Sequence, residues 1–296
     1  MDTEDLIGRW EKALVSYGIP KNFADDTIIK LIHDKENSKN IPIILYLSLG
    51  YSKRREIMKN TKRNLQYDCF LCENMAQARE KGNNLLLPWE EYCSEGVVPN
   101  KFPFARGHSL LIKKEHDNPR LEDKLLNKEY FETIIHLSEK HKLSISRNHK
   151  FAGRSIPEHE HCHILPKFVK SQSGDLIRCK SLIQYAKFQL TPYNRNVFFV
   201  SNSHFDTIAI KKENLDKTVL PILKKLDKNK VIFTFCFDEM FYITPHSNSN
   251  KSVGSGDPEY LAISKPGKIF SYKNHINLLK NYIFSKGTFP WKNYLS

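Results

Sequence analysis

Three histidines occupy alternate positions in the segment EHEHCHILP, where His159, His161 and His163 are each separated by one residue. Side chains along a β-strand point alternately to its two faces, so this spacing predicts three imidazoles on one face. The intervening Glu160 and Cys162 would then point to the other face. An imidazole near neutral pH acts as a nucleophile and as a proton carrier, so the row indicates a catalytic site. A surface histidine cluster or an incidental metal-binding tract is the simpler alternative.

The residues just before this row are suited to binding a phosphate group. The segment from Gly153 to Ser155 can offer backbone N–H groups and a hydroxyl to an anion, and Arg154 can add a positive charge. An aliphatic–proline exit, Ile-Leu-Pro, follows the last histidine. This lead-in and this exit favour the catalytic interpretation over an incidental cluster.

The whole segment resembles the active-site strand of the histidine-triad superfamily. Its members include the histidine-triad hydrolases, galactose-1-phosphate uridylyltransferase and the diadenosine tetraphosphate phosphorylases. In that superfamily the middle histidine attacks the α-phosphorus of a nucleotide, and water, phosphate or a sugar phosphate then accepts the nucleotidyl group. The resemblance implies that His161 is the nucleophile, and that Ser155 and His163 stabilise the charge developing on the phosphoryl oxygens. It also implies an α+β fold, with an antiparallel sheet and packed helices.

Cys69 and Cys72 form a CxxC pair, whose thiolates can share one Zn²⁺ at a hairpin or tight turn. Taken alone, the pair is ambiguous between a redox couple, half of a metal site and two buried small residues. In the uridylyltransferase branch, two histidines complete such a pair, one after a long strand and one at the start of the triad. The matching residues here are His116 and His159, so the resemblance implies a structural zinc held by four residues.

The segment 97–112, VVPNKFPFARGHSLLI, resembles the part of the superfamily that lines the nucleoside pocket. By this match, Asn100 and Lys101 are expected to contact ribose or phosphate, and Phe102 is expected to line the pocket of the nucleotide base. His108 is equally suited to orienting a loop and to touching the ligand. The other residues expected to bind substrate are Asn148, Gly153 and Arg154.

Two features depart from the pattern of the histidine-triad hydrolases. Glu160 stands where those enzymes carry an aliphatic residue, so its face of the strand is expected to be less buried, or Glu160 to meet a cation such as Arg154. One extra residue also separates Ser155 from His159, compared with the commonest pattern. The contact between Ser155 and a phosphate is therefore left open.

Different features of the sequence favour different acceptors of the nucleotidyl group. Transferases and phosphorylases usually carry Gln where this chain has His163, whereas the hydrolases carry His, which can protonate a leaving group and activate water. The CxxC pair, the chain length and a second half point instead to transfer. We expect a nucleotidyltransferase or phosphorylase acting on a nucleotide sugar or a dinucleoside polyphosphate. The alternatives are a nucleotide hydrolase, and a zinc-stabilised nucleotide- or nucleic-acid-binding protein without turnover.

The elements that must position these residues divide the chain into three predicted parts. Residues 1–66 are expected to form a helical N-terminal extension, with apolar residues at helical spacing near the start and again over 28–41. Residues 67–185 follow the order strand, strand, helix, strand, triad strand, and form the catalytic half. Residues 186–296 repeat that order without the histidines, which predicts a degenerate second half, and 274–284 is expected to add a C-terminal helix.

Composition narrows the class of protein and of partner. The 296 residues carry a net charge of +13, from 46 Lys and Arg against 33 Asp and Glu, which favours anionic partners. Nucleotide substrates are expected, with phosphate, a sugar phosphate or water as acceptor, and nucleic acid is the less favoured partner. The acidic start, the lack of a long apolar run and six mostly scattered cysteines predict a soluble cytoplasmic protein without a disulfide scaffold. Both a monomer and a homodimer fit the sequence.

Overall fold

The computed structural model describes most of the predicted catalytic half and much of the rest of the chain. The described residues are 3–16, 28–32, 43–47, 69–80, 95–101, 103, 105–113, 127–148, 159–170, 174, 176–178, 190–201, 203, 205–247, 260–263, 277, 280–281, 283–285 and 287–295. No helix among them is both long enough and apolar enough to cross a membrane.

The helices and strands are numbered here in chain order. The α-helices in the described ranges are α1 (Thr3–Ser16), α2 (Phe70–Glu80), α3 (Lys128–His141), α4 (Leu220–Lys228) and α5 (Lys292–Leu295). The first strands are β1 (Ile28–Ile32), β2 (Ile43–Leu47), β3 (Glu95–Pro99), β4 (Ser109–Lys113), β5 (Leu143–Asn148), β6 (His161–Pro166) and β7 (Phe168–Lys170). The remaining strands are β8 (Leu176–Arg178), β9 (Leu190–Pro192), β10 (Val197–Val200), β11 (Ile208–Lys211), β12 (Ile232–Phe237), β13 (Met240–His246) and β14 (Tyr260–Ile263).

A nine-stranded antiparallel sheet forms the centre of the fold, in the order β3-β4-β6-β5-β12-β13-β11-β10-β9. Strands β1, β2 and β14 form a separate small sheet in which β14 runs parallel to β2, and β7 pairs with β8. The large sheet and its helices confirm the predicted α+β class.

The sheet contains the same topology twice. Strands β3, β4, β5 and β6, with α3 between β4 and β5, lie in the spatial order β3-β4-β6-β5. Strands β10, β11, β12 and β13, with α4 between β11 and β12, lie in the order β10-β11-β13-β12. The halves join where β5 pairs with β12, with Asn148 opposite Thr234. This repeated order supports the predicted duplication, while the boundaries at 66 and 185 stay predictions.

Helix α3 shows how local sequence sets one of these elements. The side chain of Asn127 accepts a hydrogen bond from the backbone N–H of Tyr130 at 2.8 Å, which satisfies one unpaired donor at the helix start. Lys142 adopts a left-handed conformation, with φ of 52°, and ends the helix directly before β5. The buried stripe of α3 packs into the main core, where Phe131 lies against Phe235 at 5.2 Å between ring centroids.

Two helices predicted from periodicity are corrected by the structure. Residues 28–41 were expected to be helical, but β1 occupies 28–32, and its sequence IIKLI is rich in β-branched residues that favour strands. The predicted helix over 274–284 does not reach its expected end, because Ile283 forms a β-bridge with His246. The N-terminal helix is confirmed as α1, with Trp10 fully buried in the main core.

Candidate active site

The histidine row lies where the sequence predicts it, at the start of β6. His161 opens the strand, His159 lies in the bend before it, and His163 follows two residues later. The rings of His161 and His163 have centroids 5.5 Å apart. The side chain of Cys162 points the opposite way, into the main core, and lies 2.8 Å from the hydroxyl of Tyr130. The predicted alternation between two faces is therefore confirmed.

The ring of His161 is held by the backbone of its own strand. Its Nδ1 lies 2.9 Å from the carbonyl oxygen of His159, and only 3% of the residue is exposed. A carbonyl oxygen can only accept a hydrogen bond, so Nδ1 must carry the proton. In its neutral form, a ring held in this way carries its lone pair on Nε2. This tautomer is the one that can attack phosphorus.

The ring of His163 contacts a fourth histidine that the sequence left without a definite role. Nε2 of His108 lies 3.0 Å from Nδ1 of His163, and His108 is almost completely buried. The side-chain nitrogen of Asn100 lies 3.3 Å from the same Nε2. The structure thus connects Asn100, from the segment expected to bind the nucleoside, to the last histidine of the row. The only sequence signal for this contact was the position of His108 immediately before β4.

The ring of His159 faces the cysteine pair. Its Nδ1 lies 3.2 Å from Sγ of Cys69 and 3.5 Å from Sγ of Cys72, and the three potential ligand atoms lie within 4.8 Å of one another. The pair lies at the start of α2, and not in the hairpin or tight turn that its spacing suggested. His116, the expected fourth ligand, lies outside the described residues.

These distances fit a shared metal ion. In a tetrahedral site with Zn–S of about 2.3 Å and Zn–N of about 2.0 Å, sulfur and nitrogen are about 3.5 Å apart. Burial, and then the neighbouring Cys69, raise the pKa of the Cys72 thiol to about 11. A metal ion would reverse this effect, because it binds the thiolate and displaces the proton.

The opposite face of the triad strand carries a buried ion pair. Glu160 is fully buried and accepts two hydrogen bonds from Arg147 of β5, one of them at 3.1 Å from Nη2 to Oε2. Burial opposes the charge on Arg147, but the Glu160 carboxylate outweighs it and holds the pKa of the guanidinium above its usual value. The expectation of a less buried face was therefore wrong, whereas the expectation that Glu160 meets a cation is confirmed, with Arg147 as a partner; Arg154 lies outside the described residues.

The residues expected to bind substrate are only partly described. Lys101 lies in the loop after β3, with its Nζ 5.7 Å from the ring centroid of Phe70. Asn148 lies two residues beyond Ser146, which is opposite His163, so Asn148 shares the face of the triad. The roles of four further residues stay predictions because these lie outside the described part of the chain: Phe102, Gly153, Arg154 and Ser155.

The triad face continues into the second half of the sheet as a row of buried polar side chains that the sequence did not single out. Thr234 of β12 lies opposite both Asn148 and Thr244 in the strand register, and the hydroxyl of Thr244 is 2.9 Å from that of Thr207. Nε2 of His246 lies 3.5 Å from the Thr234 hydroxyl. Burial lowers the pKa of His246 to about 3, so this ring is neutral. The signal was an alternation of polar and apolar residues along β12 and β13.

Comparison with known proteins confirms the fold. No protein-family model matches the chain, and no curated protein matches its sequence. The structure is similar to the crystal structure of yeast Ap4A phosphorylase Apa2 in complex with AMP, with a TM-score of 0.52 and 14% identity over 94% of this chain and 92% of that chain. A further crystal structure of the same phosphorylase gives 0.52 and 14% over 93% and 90%, and its complex with Ap4A gives 0.50 and 13% over 94% and 93%. The chain thus shares the fold of this phosphorylase along nearly its whole length, and the predicted α+β class is confirmed.

Proposed function

We propose that this chain is a nucleotidyltransferase of the phosphorylase type, which transfers a nucleotidyl group from a dinucleoside polyphosphate or a nucleotide sugar through His161. The observation that carries the proposal is the hydrogen bond between Nδ1 of His161 and the carbonyl of His159, which leaves the attacking lone pair on Nε2. A strand of a purely binding protein has no need of this arrangement. The fold shared with a phosphorylase that was crystallised with AMP and Ap4A supports a nucleotide substrate.

The proposed first step replaces one bond at phosphorus by another. The lone pair on Nε2 of His161 forms a bond to the α-phosphorus, and the bond from that phosphorus to the bridging oxygen breaks. The electron pair leaves with the oxygen, as a nucleoside polyphosphate or a sugar phosphate. His163 lies next to His161 along the row and can donate a proton to that oxygen when it is needed.

In the proposed second step, the nucleotidyl group passes from His161 to an oxygen of the acceptor. An oxygen of inorganic phosphate attacks the phosphorus, the bond to Nε2 breaks, and a nucleoside diphosphate leaves. His161 returns to its starting tautomer because its Nδ1 proton is held throughout by the carbonyl of His159. Atoms and charge balance, and no other reactant is needed.

A hydrolase is the second candidate, and one observation favours it. The contact between His108 and His163, at 3.0 Å, gives the last histidine a partner that can exchange a proton with it. A histidine supported in this way can activate water, whereas a glutamine at this position cannot. The two candidates share the covalent intermediate and differ only in the acceptor.

We also propose that Cys69, Cys72 and His159 hold a structural zinc ion, with His116 as the fourth ligand. The distances among the three described ligands support this assignment. When bound, the ion would supply no reacting group, because four protein ligands close its coordination shell. The work of the protein residues would be to hold His159, and therefore the carbonyl that positions His161.

The proposal is tested by trapping the intermediate. The purified chain is incubated with α-³²P-labelled Ap4A, with labelled UDP-glucose and with other nucleotides, then quenched in base. We expect protein-bound label that is stable in base, labile in acid and released as nucleoside diphosphate when phosphate is added. The variant His161→Ala should carry no label, whereas His136→Ala on α3 should label like the unmodified chain.

Each outcome separates the candidates. Free mononucleotide without stable label would identify water as the acceptor and favour the hydrolase. Label that disappears on addition of phosphate or of a sugar phosphate would identify a transferase and its acceptor. Full turnover by His161→Ala, or neither label nor product across the panel, would overturn the covalent mechanism.

A further inference from the structure

The N-terminal helix α1 contributes a buried side chain to the back of the candidate active site. Trp10 is fully buried, and its indole Nε1 donates a hydrogen bond to the carbonyl oxygen of His108 at 2.9 Å. The two residues are 98 positions apart in sequence, so this contact exists only because α1 docks against the catalytic half. The indole N–H is the polar end of the Trp10 side chain, and the rest of that side chain packs in the main core.

The same backbone segment determines where the ring of His108 lies. Its carbonyl oxygen also accepts the backbone N–H of Asn100 at 3.1 Å, and its own N–H donates to the carbonyl of Ala105 at 3.1 Å. The ring then reaches His163, with Nε2 3.0 Å from Nδ1. A shift of this backbone would therefore move both the ring that contacts His163 and the loop that carries Asn100.

Helix α1 also holds this turn through an ion pair and lies close to it at a second point. The guanidinium of Arg106 donates to the carboxylate of Glu11, with Nε 2.9 Å from Oε1. Gly107 adopts a positive φ of 79°, which favours glycine. A Cβ added there would lie 3.0 Å from Cγ of Pro166 and 3.6 Å from Cγ1 of Ile7. The turn is thus enclosed between α1 and the end of the triad strand, with no spare room.

We propose that helix α1, mainly through Trp10 and secondarily through Glu11, positions His108 and through it His163 for proton transfer at the nucleotidyl-transfer site. Trp10 is a positioning residue, since it touches no reacting atom. This inference rests on the proposed function for the role of His163, but the contact between α1 and His108 can be tested without turnover. By this proposal, the N-terminal extension helps to position the residues of the candidate active site.

The chain offers a matched control for Trp10. Trp291 is also buried in the main core, at 3% exposure, but its Nε1 has no hydrogen-bond partner among the described residues. Replacing either tryptophan by phenylalanine removes an indole N–H and a similar volume. Only Trp10→Phe removes a hydrogen bond to the active-site turn, so a difference between the variants reports that bond.

The experiment measures two quantities on the same variants: the rate of turnover and the ¹⁵N chemical shifts of the His163 ring. For Trp10→Phe we expect kcat to fall about tenfold, since small displacements of a positioned group are costly, while KM changes less than about twofold. We also expect the ¹⁵N ring resonances of His163, assigned by their loss in His163→Gln, to shift in Trp10→Phe. In Trp291→Phe, kcat and these resonances should both stay unchanged.

The result can overturn the proposal in three ways. Unchanged His163 resonances in a folded Trp10→Phe variant would refute it, as would equal changes in Trp10→Phe and Trp291→Phe. If Trp10→Phe does not fold, Glu11→Gln takes its place, because Glu11 binds the turn from an accessible position. A Glu11→Gln variant with unchanged His163 resonances would then refute it.

If the unmodified chain turns over no nucleotide, the proposed function fails, and the resonance shifts still decide whether α1 positions His163.

Discussion

His159 and His161 are joined by a hydrogen bond that links two different sites. The backbone carbonyl of His159 accepts Nδ1–H of His161 at 2.9 Å, while the ring of His159 directs its Nδ1 toward Sγ of Cys69 at 3.2 Å. One residue therefore faces the candidate metal site with its side chain and orients the candidate nucleophile with its backbone. Any change that moves the ring of His159 should also move His161.

Metal removal should therefore lower activity. We expect the purified protein to hold about one zinc per chain, and chelation to lower kcat by about 10- to 100-fold, restored by adding zinc. Cys72→Ala should lower both zinc content and kcat. Cys236→Ala removes a buried thiol of β12 and serves as the control, with zinc content unchanged. Zinc-free protein with full activity would contradict this assignment.

Substituting His163 should change which acceptor is used. In His163→Gln, we expect hydrolysis to fall about tenfold relative to phosphorolysis, because glutamine cannot take a proton from water. The measurement is the ratio of mononucleotide to nucleoside diphosphate formed from one labelled substrate in the presence of phosphate. His136→Gln should leave this ratio unchanged. An equal loss of both products in His163→Gln would show that His163 serves both acceptors alike.

Replacing only one partner of the buried pair between Arg147 and Glu160 should lower the stability of the fold strongly. Both side chains are almost inaccessible, so Glu160→Gln leaves an uncompensated guanidinium and should lower the free energy of unfolding by about 3–5 kcal/mol. The double variant Arg147→Met, Glu160→Gln should recover part of this loss. Chemical denaturation measures both values. Glu11→Gln, which breaks the exposed pair with Arg106, should cost less than about 1 kcal/mol. Similar costs for the two single variants would contradict the buried-pair interpretation.

His246 should make stability depend on pH in the acidic range. Burial lowers its pKa to about 3 in the folded chain, from about 6.5 in the unfolded chain, so the unfolded chain binds the extra proton first as the pH falls. Stability contributed by the neutral ring is complete above about pH 6.5 and is lost as the pH falls toward 3, by up to about 1.4 kcal/mol per pH unit. His246→Gln should flatten this slope in denaturation series between pH 4 and 7. An unchanged slope would show that the ring takes up no extra proton on unfolding.

Local patterns in the sequence were sufficient for most elements of the large sheet and for the placement of the histidine row. The alternation of His159, His161 and His163 depends only on strand periodicity, and the order of strands and helices in both halves depends on segment patterning. These patterns also fixed which face of β6 carries the histidines. They failed over 28–32, where a short apolar run fits a helix and a strand about equally well, and the fold contains strand β1.

The contacts that complete the site join segments far apart in the chain. Trp10 meets His108 across 98 residues, and His108 meets His163 across 55, while Arg147 on β5 forms a buried ion pair with Glu160. No periodicity encodes such pairs, because each depends on which strands become neighbours in the sheet and on how α1 docks against them. The sequence by itself therefore determined the candidate reacting residue types and their strand, and the tertiary structure decided which side chains hold them in place.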